Sequence, residues 1–98
     1  MGSGIHKKTI KNISNILDLL REAGEIHIRG ISKALGLNPF IVSNIINKYL
    51  DFFVENRTLD QFGIKLRLIS LKPGKEQTTV EDVLKYSRVK KRIKGSLV

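Results

Sequence analysis

Ile31-Ser-Lys-Ala-Leu-Gly-Leu-Asn-Pro-Phe-Ile-Val-Ser-Asn-Ile-Ile-Asn-Lys-Tyr-Leu50 is the stretch on which the fold turns. Asn38 can accept a hydrogen bond from the first free amides of a helix. Pro39 suits the next position, where its missing N–H has no helical partner to lose. From there Val42, Ile45, Ile46 and Tyr49 recur at spacings of one, three and four, with Leu50 at the edge. That spacing draws an apolar stripe along one side of a helix over 38–50. Ser43, Asn44, Asn47 and Lys48 fall mainly on the other side. Ile31 to Leu35 predicts a shorter helix of little more than a turn, ended by Gly36.

Upstream, Ile10, Ile13, Leu17 and Leu20 predict a helix over 9–22, with Thr9 as cap and Gly24 as stop. Ile16 and Leu19 widen its stripe beyond one core face, which serves either a partner helix or deep burial. Glu25 to Arg29 alternates polar and apolar, a short strand with Ile26 and Ile28 inward, and Gly30 breaks the chain. Downstream, 52–59 and 64–71 read as two strands around a turn at 60–63. Ile64, Leu66 and Leu68 alternate with Lys65, Arg67 and Ile69, so one face is apolar and the other basic, the pattern of a half-buried hairpin strand. Lys72-Pro-Gly-Lys75 makes a turn. A last helix over 79–94 follows, with Thr79 as cap, Glu81 and Asp82 in its first turn and Gly95 past its end. Val80, Val83, Leu84 and Ser87 form its stripe.

Taken in order, these elements resemble the winged helix-turn-helix family of small bacterial and archaeal transcription regulators. The residues that carry the likeness are Leu35-Gly36-Leu37, the Val42-Ser43 pair, the hairpin, and the exit turn Leu71-Lys-Pro-Gly-Lys75. The likeness covers about residues 9–75. It implies an α+β, mostly helical fold: a three-helix core, a short strand plus a β-hairpin wing, and here an additional C-terminal helix. Three segments are expected. Residues 1–8 form a flexible basic N-terminus, its first four residues having the look of a tag remnant; 9–75 form the winged domain; 76–98 form a basic helix for packing or dimerisation.

The formal net charge is +9, from 18 basic and 9 acidic residues in 98. Residues 1–11 carry +3, residues 12–51 sum to zero, residues 52–79 carry +2 and residues 80–98 carry +4. A neutral scaffold flanked by positive segments points to a polyanion. The resemblance implies which one, double-stranded DNA, with the helix over 38–50 in the major groove and the wing over 52–71 on the backbone or in the minor groove. Asn44 and Asn47 have the chemistry to read adenine edges, and Ser43 can serve bases or phosphate. Their other reading is ordinary surface polarity. Phe40, near the helix start, either touches a thymine methyl or packs against the wing or a neighbouring helix. Asn38 and Lys48 complete the face. Arg57, Lys65 and Arg67 would line the wing and project together, or else form a solvated edge whose charge blocks sheet-to-sheet pairing. Lys7 and Lys8, with Lys11, form either a phosphate-binding arm or a solubilising tail. Lys85, Arg88, Lys90, Lys91, Arg92 and Lys94 crowd the last helix without an intervening acid.

Other functions find little foothold. No apolar run exceeds three residues, far short of the roughly 20 a membrane span needs. The chain has no cysteine, and neither His6 nor His27 stands at metal-ligand spacing, so no metal, cofactor or small-molecule ligand is expected. Nine scattered acids give no acid–base pair, so no enzyme activity is expected. The expectation is a cytoplasmic, nucleoid-associated, sequence-specific DNA-binding regulator, homodimeric through its first and last helices. Two alternatives stand beside it: a DNA-coating architectural or partition protein, and a winged-helix module that binds protein or RNA.

Overall fold

The computed structural model describes residues 6–96, with the side chains of Gln61 and 90–96 excepted. Within that range the elements are α1 (Lys7–Ala23), β1 (Glu25–His27), α2 (Ile28–Leu35), α3 (Pro39–Ile45), a π-helical turn (Ile46–Leu50), β2 (Val54–Gln61), β3 (Ile64–Leu71) and α4 (Val80–Ser96). The strands form one antiparallel sheet in the order β1-β3-β2. This is a small α+β fold with four α-helices.

Helix α1 begins two residues earlier than its stripe predicts. His6, not Thr9, caps it, its Nδ1 accepting from the Lys8 amide at 3.2 Å. Lys7 and Lys8 therefore lie in a helical first turn, not in a loose arm. Gly24 ends the helix at φ 79, its amide donating to the Leu20 carbonyl. The wide stripe goes into the chain's own core: Ile13, Ile16, Leu17 and Leu20 are buried, and the helix touches α2, β1, β3 and α4. Leu19 packs half-buried against the same core, and Ile10 is half-buried.

The first strand is shorter than predicted. Ile28 opens α2 instead of ending β1, and Gly30 lies inside that helix instead of breaking the chain. The reason is a close approach. A Cβ at Gly30 would sit 2.8 Å from Ile26 Cγ1 and 3.1 Å from the His27 ring, so only glycine lets α2 fold back on β1. Gly36 at φ 66 then turns the chain, and Ser32 fastens the corner by donating its hydroxyl to the Leu37 carbonyl.

Helix α3 starts where Asn38 and Pro39 place it, with Asn38 Oδ1 accepting from the Phe40 amide at 2.7 Å. It does not run on as α-helix to Leu50. The last turn is π-helical, and its five-residue hydrogen-bond spacing brings Leu50 over Ile45. Val42, Ile45, Ile46 and Leu50 are all buried as a result. Phe52 and Phe53 form a turn instead of opening β2. Phe52 stacks on Tyr86 at 4.5 Å between centroids, and Phe53 meets the same ring edge-on at 5.6 Å. Together with fully buried Val83 these contacts hold α4 against the rest of the fold.

Inside the hairpin, Thr58 stands opposite Arg67, Asn56 opposite Ile69 and Arg57 opposite Leu68. Residues directly opposite each other project to the same side of a sheet. Ile69 is buried, so the side facing the helices is the one bearing Lys65, Arg67 and Ile69. The predicted arrangement is thus inverted. Leu66 and Leu68 lie on the sheet's outer side, where they are half-buried, and Ile64 is 61% exposed. The turn is also tighter than expected, Phe62-Gly63 alone joining the paired Gln61 and Ile64.

At the start of α4, Thr79 and Asp82 cap each other. The Thr79 amide donates to Asp82 Oδ2 at 3.0 Å and the Asp82 amide to Thr79 Oγ1 at 3.3 Å. The Thr79 backbone amide first, then the Thr79 side chain, hold the Asp82 carboxyl below the usual carboxylate range. A folded-state value depressed in this way stabilises the helix start fully above the unfolded carboxyl's range. The contribution is lost as pH falls through the folded value. Acidification followed by amide exchange is expected to leave the Thr79, Asp82 and Val83 amides protected until pH passes below the ordinary carboxylate range. Earlier loss of protection would show that the cap is not what holds this end. At its other end α4 runs through Gly95 to Ser96 instead of stopping before the glycine. The side chains of Lys90, Lys91, Arg92 and Lys94 lie outside the described residues.

Candidate nucleic-acid interface

The outward face of α3 and the π turn is formed by Phe40, Ile41, Asn44, Asn47 and Lys48, all exposed. Phe40 is 73% exposed and packs against neither the hairpin nor a neighbouring helix. Ser43, expected among the exposed groups, is half-buried. The cap bond of Asn38 leaves that residue exposed at the helix start.

Arg67 decides how this face is organised. From β3 its guanidinium donates to Asn47 Oδ1 at 2.7 Å, to Asn56 Oδ1 at 2.7 Å and to Ser43 Oγ at 3.5 Å. Asn47 Nδ2 in turn lies 3.5 Å from Ser43 Oγ. One arginine thus ties the hairpin to the helix, and its planar fork suits contact with several oxygens at once. Asn47 is thus engaged through both its oxygen and its nitrogen. Among the described residues Asn44 makes no side-chain hydrogen bond, so both its donor and its acceptor face solvent.

The three cations expected to line the hairpin together do not share a side. Arg67 and Lys65 face the helices. Arg57 projects the other way and clasps Glu25 of β1 through two bonds, at 2.7 and 3.2 Å. That pairing, above all its hydrogen bonds, holds the Glu25 carboxyl below its usual range and raises Arg57. The pair ties β1 to β2 across β3. Lys65 is exposed and stands directly opposite Asp60 in the register.

Positive charge reaches the face from α1. Thr9 lines a shallow open depression together with Ile41, Asn44, Lys48 and Tyr49, so the start of α1 flanks the outward face of α3. Lys7, Lys8 and Lys11 are exposed on that start. Sequence reasoning missed Ile41 as an exposed group, and missed Asn56, Glu25 and the depression altogether. Only the alternation of Lys65 and Arg67 hinted at the clamp, and it was silent about which side the helices take.

Among the described residues there is no cluster of three metal-ligating side chains and no helix long and apolar enough to cross a membrane. No family model matches the chain, and no curated protein matches it. Its structure is similar to that of the transcriptional regulator homologue protein from Pyrococcus horikoshii OT3, over 94% of this chain and 91% of that one. The TM-score is 0.58 and the sequence identity 16%. At that identity the likeness is one of fold. It places the chain with small α+β proteins that share the architecture of that regulator homologue.

Proposed function

We propose that this chain is a winged helix-turn-helix protein that binds double-stranded DNA sequence-specifically and regulates transcription without enzymatic activity. The observation that carries the reading is the outward face of α3. Asn44 stands with both amide groups free to solvent beside Asn47 and Lys48, and the face is flanked by the lysines of α1 and braced by the hairpin. In this reading α3 and the π turn enter the major groove, about 12 Å wide, while Val42, Ile45 and Ile46 anchor them from behind. The hairpin is the wing and runs along the backbone toward the adjacent minor groove. Lys7, Lys8, Lys48 and Lys65 meet phosphates, as does Arg67 beside the helix. Phe40 and Ile41 offer apolar contact to thymine methyl groups. The overall charge and the similar regulator homologue support the same assignment.

The winged domain spans 9–75, and the segment from 76 packs α4 upon it. A homodimer belongs to this proposal through α4 alone, whose Val89 is exposed. It is tested by sedimentation at the concentrations at which DNA is bound. A monomer there would remove it.

The test of the reading surface is Asn44→Ala, assayed by selecting bound sequences from a random duplex pool. The variant is expected to lose about 1–3 kcal/mol of discrimination at the bases Asn44 reads, with its remaining preferences intact. An unchanged preference at every position would remove α3 as the reading helix.

A further inference from the structure

The hairpin tip carries a feature that neither packing nor turn chemistry accounts for. Phe62 is 97% exposed, so nothing in the fold covers its ring. It also sits at φ 53 and is followed by Gly63 at φ 75. Two successive positive φ values are the signature of the tight hairpin turn that favours asparagine or aspartate before glycine. An aromatic residue in the left-handed region is uncommon and strained. At this position the fold accepts a bare hydrophobic ring and a disfavoured backbone together, where asparagine would relieve both. Ile64, the first residue after the turn, is itself 61% exposed.

Where that tip points follows from Arg67, which fixes one place on β3 against α3. Three steps of β3 separate Arg67 from Ile64, roughly 10 Å along the strand, and the Phe62-Gly63 turn lies just beyond. Half a turn of duplex, the step from one groove across the backbone to the next, is roughly 17 Å. With α3 in a major groove, the tip and the ring it carries extend toward the neighbouring minor groove. Apolar side chains delivered there insert between base pairs, unstack one step and kink the duplex. We infer that Phe62 is a base-step wedge that enters the minor groove and bends the DNA held by α3. The inference rests on the DNA-binding reading and adds to it a deformation of the target, with preference for easily unstacked pyrimidine–purine steps at a position that no side chain reads by hydrogen bonding.

The experiment uses the full chain and its Phe62→Asn variant on the duplex selected by the wild type. Bending is read by energy transfer between end labels, and unstacking by 2-aminopurine placed along the site. Asparagine suits a positive φ, so the variant is expected to unfold at a temperature no lower than the wild type. The wild type is expected to shorten the end-to-end distance and brighten 2-aminopurine at one step. The variant is expected to keep the base preferences read by α3, lose the preference for a pyrimidine–purine step at the wedge position, bind about tenfold more weakly and lose both signals. Wild-type binding without a bend, or a variant that bends DNA as the wild type does, overturns the wedge and leaves the DNA reading standing. A tip that instead docks on another protein gives that same result. Failure of the wild type to bind any duplex overturns both.

Discussion

Raising monovalent salt from about 50 to about 200 mM is expected to weaken binding to duplex DNA roughly a thousandfold. The size of the effect follows from where the cations lie. Lys7, Lys8 and Lys11 flank the face from α1, Lys48 stands on it, and Lys65 and Arg67 reach it from the hairpin. About six phosphates neutralised give a slope near −5 in a double-logarithmic plot, and a fourfold rise in salt then removes about three decades of affinity. Arg57, locked to Glu25, adds nothing to that slope. The measurement is a binding isotherm at several salt concentrations on random-sequence duplex. A nearly flat plot would remove both DNA readings, the regulator and the DNA-coating protein alike. It would favour the protein-binding module, whose foothold is that Lys48 is the sole cation among the outward groups of α3 and the π turn.

The second large effect concerns stability. Leu17→Ala is expected to destabilise the fold by about 2–5 kcal/mol, since a buried leucine loses its transfer energy and leaves a cavity that relaxes only in part. For a chain of this size each kcal/mol lowers the melting temperature by about 4–8 °C. Leu17 is 1% exposed on a helix that touches α2, β1, β3 and α4, so its cavity has walls on several sides. The loss is expected at every protein concentration, because all those walls belong to one chain. Thermal melts over a wide dilution range check this. A loss that vanishes on dilution would place Leu17 at a contact between chains instead.

Those walls also account for the width of the α1 stripe. The stripe of α1 looked too wide for a single core, and in isolation an excess of isoleucine and leucine is equally compatible with a partner. What the linear order could not disclose is that α1 is enclosed by helices and sheet together. Much of the local chemistry, by contrast, was legible, though His6 and not Thr9 caps α1. The cap at Asn38, the proline after it, the left-handed Gly36 and the reciprocal cap at Thr79 depend only on residues within a few positions of one another. The second hairpin strand was found to its exact ends for the same reason.

The candidate site was legible in its residues and not in its connections. Strict alternation announces two sides of a strand without saying which one the helices take. Ile69 alone broke the pattern by sharing a side with Lys65 and Arg67, and burial of Ile69 decided the matter. Once that side was turned inward, Arg67 fell against residues 20 and 24 positions away, a meeting no spacing rule contains. Gly30 was taken for a breaker because the close approach it permits involves a strand folded back upon its helix.

The arginine bridge between hairpin and helix has a consequence for redesign. On the proposed DNA-binding reading, retargeting by exchange of the outward residues of α3 assumes that the helix is an independent cassette. Here it is not, since replacing Asn47 leaves a guanidinium without its carbonyl, and replacing Arg67 lets Asn47 choose a new rotamer. Substitutions at 43, 47, 56 and 67 therefore have to be drawn as sets, and a library that varies only the helix will sample mostly broken pairs.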